Sequence, residues 1–165
     1  MRKSSSVSRA LIRTTVVGAV VLLSGSAGYA QSAPFAGMSG VWSGSGTITL
    51  ESGASERIRC RATYSVRSDG DALNQSLVCA SDSYKFDLKS DVIAKNGELS
   101  GTWTEASRNV TGSLEGHAGG GQFNVVVSAP AFTANLSMKT SGNKQTVSIS
   151  SQTQIKSASI SLSRT

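Results

Sequence analysis

Few residues in this chain are equipped for chemistry, and their spacing narrows what that chemistry would be. Cys60 and Cys79 are its two cysteines. They lie symmetrically about Asp69-Gly70, a dipeptide that favours a hairpin because glycine takes positive φ without steric cost. In that register the cysteines are directly opposed, with Cα atoms roughly 4.5 to 5.5 Å apart and within reach of a disulfide. The alternative is two free buried thiols. Glu105 shares the parity of Gly101 and Trp103, which turns it inward and opposite Leu88. A carboxylate facing an apolar interior needs a partner or a raised pKa, which makes it a functional candidate. It can equally sit at the mouth of the fold, paired to Arg108. Gln75 and Ser90 are the other inward polar positions, able to orient a ligand or to hold water.

The rest of the inventory argues against catalysis and metal binding. His117 is the only histidine; it has outward parity and no second histidine or cysteine at ligand spacing, so neither a metal site nor a haem ligand is expected. No G-x-S-x-G precedes a helix, and no pair of inward carboxylates stands at glycosidase spacing. Asp69-Gly70-Asp71 reads as a turn rather than a calcium loop. The expectation is a protein that is not an enzyme and carries no cofactor. Arg57, Arg59 and Arg61 alternate along one strand and project together, a stripe that either meets an anionic envelope surface or is simply solvated.

The elements that must position these residues are strands. Around the cysteines, Ile58, Ala62, Tyr64 and Val66 share a face with Leu73, Gln75 and Leu77, and the arginines take the other. Trp42 to Leu50 alternates apolar or glycine with serine and threonine, and Tyr84, Phe86, Leu88 and Val92 alternate with Lys85, Asp87, Lys89 and Asp91. Asn96-Gly97 is a second strong hairpin signal, pairing Val92 with Gly101 and Ser90 with Trp103. The alternation continues through Val110 to Leu114, Phe123 to Val127, Phe132 to Met138, Val147 to Ile149 and Ala158 to Leu162, with turns at Gly119 to Gly121, Pro130 and Ser141 to Asn143. No helical period follows the first 30 residues. The fold class is therefore all-β, an antiparallel up-and-down meander of about ten strands, which loses its exposed edges by closing into a barrel. A barrel wider than about eight strands has room for a cavity, and the inward positions Gly44, Gly46, Ala62, Gly101, Gly112 and Ala134 are expected to leave space, the alternative being that the inward glycines let the barrel flatten onto itself. Trp103, Glu105, Phe86, Tyr84, Tyr64 and Gln75 are the candidate ligand-binding residues.

Residues 1–30 read as a cleaved secretory signal: Arg2, Lys3, Arg9 and Arg13 precede the apolar run Thr15 to Leu23 and the small-residue site Gly28-Tyr29-Ala30. Residues 31–39 form a leader, and 40–165 a single domain. The chain's formal net charge is +6, but those four basic residues belong to the signal, so 12 basic face 10 acidic residues in the remainder. That near-balance gives no argument for nucleic acid. Paired cysteines suit an exported protein, secreted or periplasmic. An outer-membrane barrel would carry apolar residues outward. Here the outward face is Ser, Thr, Lys, Arg and Asp, so the protein is not expected to span a membrane.

Gly40-Val41-Trp42 opens the first strand, and Arg164 ends the last on the parity of Ile160 and Leu162. This resembles the calycin pattern of lipocalins, fatty-acid-binding proteins and avidins, in which a G-x-W tryptophan on strand one packs under a basic residue from the last strand. G-x-W recurs as Gly101-Thr102-Trp103, and neither a helical lid nor a clear C-terminal helix is present. The resemblance implies structural roles for Trp42 and Arg164 and the transport or storage of a small apolar or amphiphilic ligand. The competing expectation is a cell-envelope structural or interaction module with a filled core.

Overall fold

The computed structural model describes residues 33–165; the expected signal peptide lies outside the described residues. Ten strands follow one another: β1 (Gly40–Leu50), β2 (Ser55–Val66), β3 (Ala72–Ala80), β4 (Lys85–Lys95), β5 (Glu98–Glu105), β6 (Val110–Gly119), β7 (Gln122–Ala129), β8 (Phe132–Ser141), β9 (Lys144–Ser151) and β10 (Ile155–Arg164). Each pairs antiparallel with the next, and β1 pairs with β10, closing the barrel. Both predicted hairpin registers are present: Cys60 faces Cys79, and Val92 faces Gly101. The β4–β5 turn takes Asn96 at φ 53° and Gly97 at φ 83°. Two consecutive positive φ values match the twist of a two-residue hairpin, which is why asparagine and glycine stand there.

Inward positions hold the core and outward positions are polar, the period-two pattern of a sheet with one dry face. Trp42, Ile48, Ile58, Ala62, Phe123 and Leu162 are buried. The inward glycines correct one expectation. A Cβ at Gly44 would come to 1.9 Å from the Ser161 carbonyl oxygen, and one at Gly46 to 2.0 Å from that of Ser159. The β10 backbone occupies the place of a side chain at these positions, so glycine there does not open space. At Gly112 a Cβ would meet the Trp103 ring at 2.7 Å, because the indole lies across that residue.

The leader turns out to be part of the core. Phe35 and Met38 are each only 1% exposed. The segment turns on itself, with Ala36 N–H donating to the Ala33 carbonyl at 3.0 Å and Met38 N–H to that of Phe35 at 3.0 Å, while Phe35 N–H donates to the Gly70 carbonyl at 3.1 Å. Phe35 then stacks on Phe123 with centroids 5.8 Å apart. Residues 33–39 thus plug the end of the barrel where β1 begins. Met38 also offers its carbonyl to Trp42 Nε1 at 2.8 Å. Fully burying such side chains contributes about 1.5–3 kcal/mol each, so the plug is a substantial share of a marginal stability.

Candidate functional site

Beyond the plug the interior holds an apolar cavity of about 110 Å³. Phe35 and Phe123 line it, with Leu77, Leu114, Leu136 and Ile149 among the wall residues. Toward the opposite end, several inward side chains keep partial exposure, among them Leu50, Leu88, Val127, Ile149 and Ile155. The plug closes one end, so access is at the other.

Two of the six candidates, Tyr64 and Gln75, line this cavity. They are cross-strand neighbours on the cysteine hairpin, and Cys60 of the disulfide lines the same wall. The Tyr64 hydroxyl donates to Gln145 Oε1 at 2.8 Å, and Gln145 Nε2 donates to Thr140 Oγ1 at 3.0 Å. Burial pushes the Tyr64 phenol up to about 12. Gln75 is fixed at one end only: its Oε1 accepts from the Ser90 hydroxyl at 3.1 Å. Its Nε2 has no hydrogen-bond partner among the described residues. An amide donor left free on an apolar wall is open to a ligand acceptor.

The other four candidates are held elsewhere. Tyr84 and Phe86 stack on each other at 6.3 Å, with the Arg108 guanidinium 5.3 Å from the Phe86 ring. Trp103 Nε1 donates to the Ser113 carbonyl at 3.0 Å, and its ring meets Phe132 edge-on at 5.9 Å. Glu105 is buried opposite Leu88, as its parity requires, but its carboxylate turns back to the chain. It accepts from the N–H groups of Asp87 at 3.0 Å, Ser107 at 3.3 Å and Arg108 at 2.8 Å, with the Arg108 guanidinium at 3.5 Å. Burial works to raise its pKa, and these donors outweigh it, leaving Glu105 below its ordinary value. The residue fastens the β5–β6 turn to β4, and neither it nor Trp103, Phe86 or Tyr84 lines the cavity.

Elsewhere, Arg164 lies over Trp42 with its guanidinium 4.8 Å from the ring, and also donates to the Gly37 carbonyl. His117 is outward and 3.6 Å from Glu98. Arg57, Arg59 and Arg61 are exposed. Sequence reasoning missed Gln145, which is 1% exposed and shares the parity of Val147 and Ile149. That parity marked it as inward, but its partner Tyr64 stands 81 residues away.

No family model matches this chain, and no curated protein matches it. Among solved structures it is similar to the S-type phycobiliprotein lyase CPES from Guillardia theta, with a TM-score of 0.55 at 12% sequence identity over 79% of this chain and 90% of that one. At that identity the likeness is one of fold: an all-β chain whose strands close into a barrel.

Proposed function

We propose that this protein is an exported, calycin-like barrel that binds a small, neutral, largely apolar ligand in its interior and performs no chemical turnover. The observation that carries the reading is the free Gln75 Nε2 on the wall of an otherwise apolar cavity. A donor so placed suits a carbonyl or ether oxygen. The lining includes no ionisable carboxylate or amine, so a charged headgroup inside would be desolvated without a partner. A volume of about 110 Å³ lies below the roughly 300–1,000 Å³ of drug-sized pockets and near the ~150 Å³ that admits benzene. The ligand, or the inserted end of an amphiphile, is then about one ring in size, with any tail leaving at the end away from the plug. The barrel likeness to a phycobiliprotein lyase supports a fold suited to holding a small molecule. The disulfide and the signal-like N-terminus support export to the periplasm or medium.

Saturation-transfer NMR with acetophenone, ethylbenzene and benzoate tests this. Acetophenone should bind, ethylbenzene more weakly, and benzoate not at all. Gln75→Leu should erase the advantage of acetophenone over ethylbenzene, and Leu136→Trp should abolish both. If neither neutral probe binds the wild type, the reading fails. The small cavity favours a second reading, a cell-envelope structural or interaction module with a filled core that works through its outer wall; it predicts that null result.

A further inference from the structure

All ten acidic residues of the chain lie between Glu51 and Glu115. In sequence this looks like an acidic middle. Closure of β1 onto β10 turns it into a division of the barrel wall, because it places β2 and β1 beside β10, β9, β8 and β7. Acidic residues are absent from β1 and from β7 through β10, and the one on β2, Glu56, has inward parity and binds Ser81 and Ser83. The outward positions of β3 to β6 mix both signs, with Lys85, Asp87, Lys89 and Asp91 alternating along β4.

Apart from Lys156, exposed at the start of β10, and Arg164, which lies over Trp42, the cations of this wall form two ridges. Arg57, Arg59 and Arg61 stand along β2, exposed and with no carboxylate at ion-pair distance among the described residues. Lys144 on β9 and Lys139 on β8 stand across from them. The register joins the ridges: Arg61 pairs with Ser43, Ser43 with Ser163, and Ser163 with Lys144. One rung along, Arg59, Ser45, Ser161, Thr146 and Lys139 follow one another. Between the ridges, the outward positions of β1 from Ser43 and of β10 from Ser157 to Ser163 are all serine or threonine. Neighbouring strands lie about 4.8 Å apart, so the hydroxyl floor is some 10–15 Å wide around the wall.

We infer that this wall binds a linear anionic polysaccharide, its sugar hydroxyls on the serine floor and its acidic groups on the flanking arginines and lysines. Arginine presents a planar fork that pairs carboxylate or sulfate in two bonds, and a cationic wall whose carboxylates, Glu51 and Glu56, lie at its rim away from Arg61 and Lys144 raises the local concentration of a polyanion. The chemistry of the floor selects among polyanions. Adsorption to a bilayer is made firm by apolar side chains that insert, beyond what cations at anionic headgroups supply, and single-stranded nucleic acid is gripped by stacking on aromatics. The exposed large apolar residues, Val78, Ile93 and Val126, lie on β3, β4 and β7, outside the floor, and no aromatic among the described residues is exposed. The inference does not rest on the interior cavity.

Isothermal titration with polygalacturonate, and with neutral dextran as control, tests it on the exported protein. Wild type should bind polygalacturonate and not dextran, and the affinity should fall steeply between about 50 and 500 mM salt as the charges are screened. The triple variant Arg57→Ser, Arg59→Ser, Arg61→Ser should bind about tenfold more weakly or worse, a loss of about 1.4 kcal/mol. Removing the same charge from the opposite wall with Lys85→Ser, Lys89→Ser, Lys95→Ser should leave affinity within about twofold of wild type. If the arginine variant does not fold, Lys139→Ser, Lys144→Ser gives the same readout from the far ridge. Equal losses in both walls, no binding by wild type, or binding of phosphatidylglycerol vesicles or poly(dT) in preference to polygalacturonate would each overturn the inference. Leu136→Trp should leave polygalacturonate binding unchanged, which separates this outcome from failure of the cavity reading.

Discussion

Arg164, next to the end of the chain, lies over the indole of Trp42 near its start, 4.8 Å from the ring. The same guanidinium donates to the Gly37 carbonyl, and the same indole donates to that of Met38 at 2.8 Å. One stacked pair therefore ties three things together: the first strand, the last strand and the plug. Trp42→Ala should cost about 3–5 kcal/mol, as large aromatic truncations in a core do. Arg164→Ala should cost less, and a double-mutant cycle by urea denaturation should show a coupling of about 0.5–2 kcal/mol. Deleting Ser163 to Thr165 should lower the Tm.

The plug should behave as core rather than as a loose leader. Phe35→Ala removes a side chain 1% exposed and its stack on Phe123. We expect a loss of about 3–5 kcal/mol in equilibrium unfolding. A loss below about 1 kcal/mol would mean that the segment is not held in the barrel end.

Glu105 should matter for stability in a pH-dependent way. Its pKa is depressed because the N–H donors outweigh burial, so its contribution is present above the ordinary carboxylate range and is lost as pH falls through the folded value. Glu105→Gln should cost about 1–2 kcal/mol near neutrality, as expected for hydrogen bonds to a charged group. The gap between variant and wild type should close in acid, read from melting curves across pH.

Tyr64 gives the complementary alkaline test. Its phenol is raised to about 12 by burial. The unfolded chain ionises its tyrosines near 10, so the Tyr64 contribution is fully present below about pH 10 and is lost as pH rises toward about 12. Difference absorbance should show one tyrosine ionising late, missing in Tyr64→Phe. That variant also strands the buried Gln145 oxygen and should cost about 1–3 kcal/mol.

The cystine should close a loop across a directly paired hairpin. With a sequence separation of 19, its chain-entropy contribution is about 3 kcal/mol. Cys60→Ala, Cys79→Ala should lower stability by that order, and unreduced, unfolded wild type should show no free thiol by titration.

By itself the sequence determined what period-two alternation and turn chemistry encode: the strands, the inward and outward faces, and the hairpin registers about Asp69-Gly70 and Asn96-Gly97. These are short-range properties. A turn dipeptide and the side chains within about ten residues of it specify a register, because a slip of one residue would turn every apolar side chain to solvent. Trp42 and Arg164 were legible only on the condition of closure in an even-stranded meander. Tertiary structure decided the rest, because closure depends on the twist and stagger summed over the whole sheet, to which no single segment commits. It set Gln145 against Tyr64 and Phe35 against Phe123. It packed backbone against the inward glycines that parity alone made look like empty space, while the turn after β5 and the β4–β5 hairpin brought the backbone donors of Arg108 and Asp87 to Glu105, turning an expected ligand group into a turn fastener. It also laid the arginine ridge of β2 beside strands without acidic residues, a surface that exists only once the first strand meets the last.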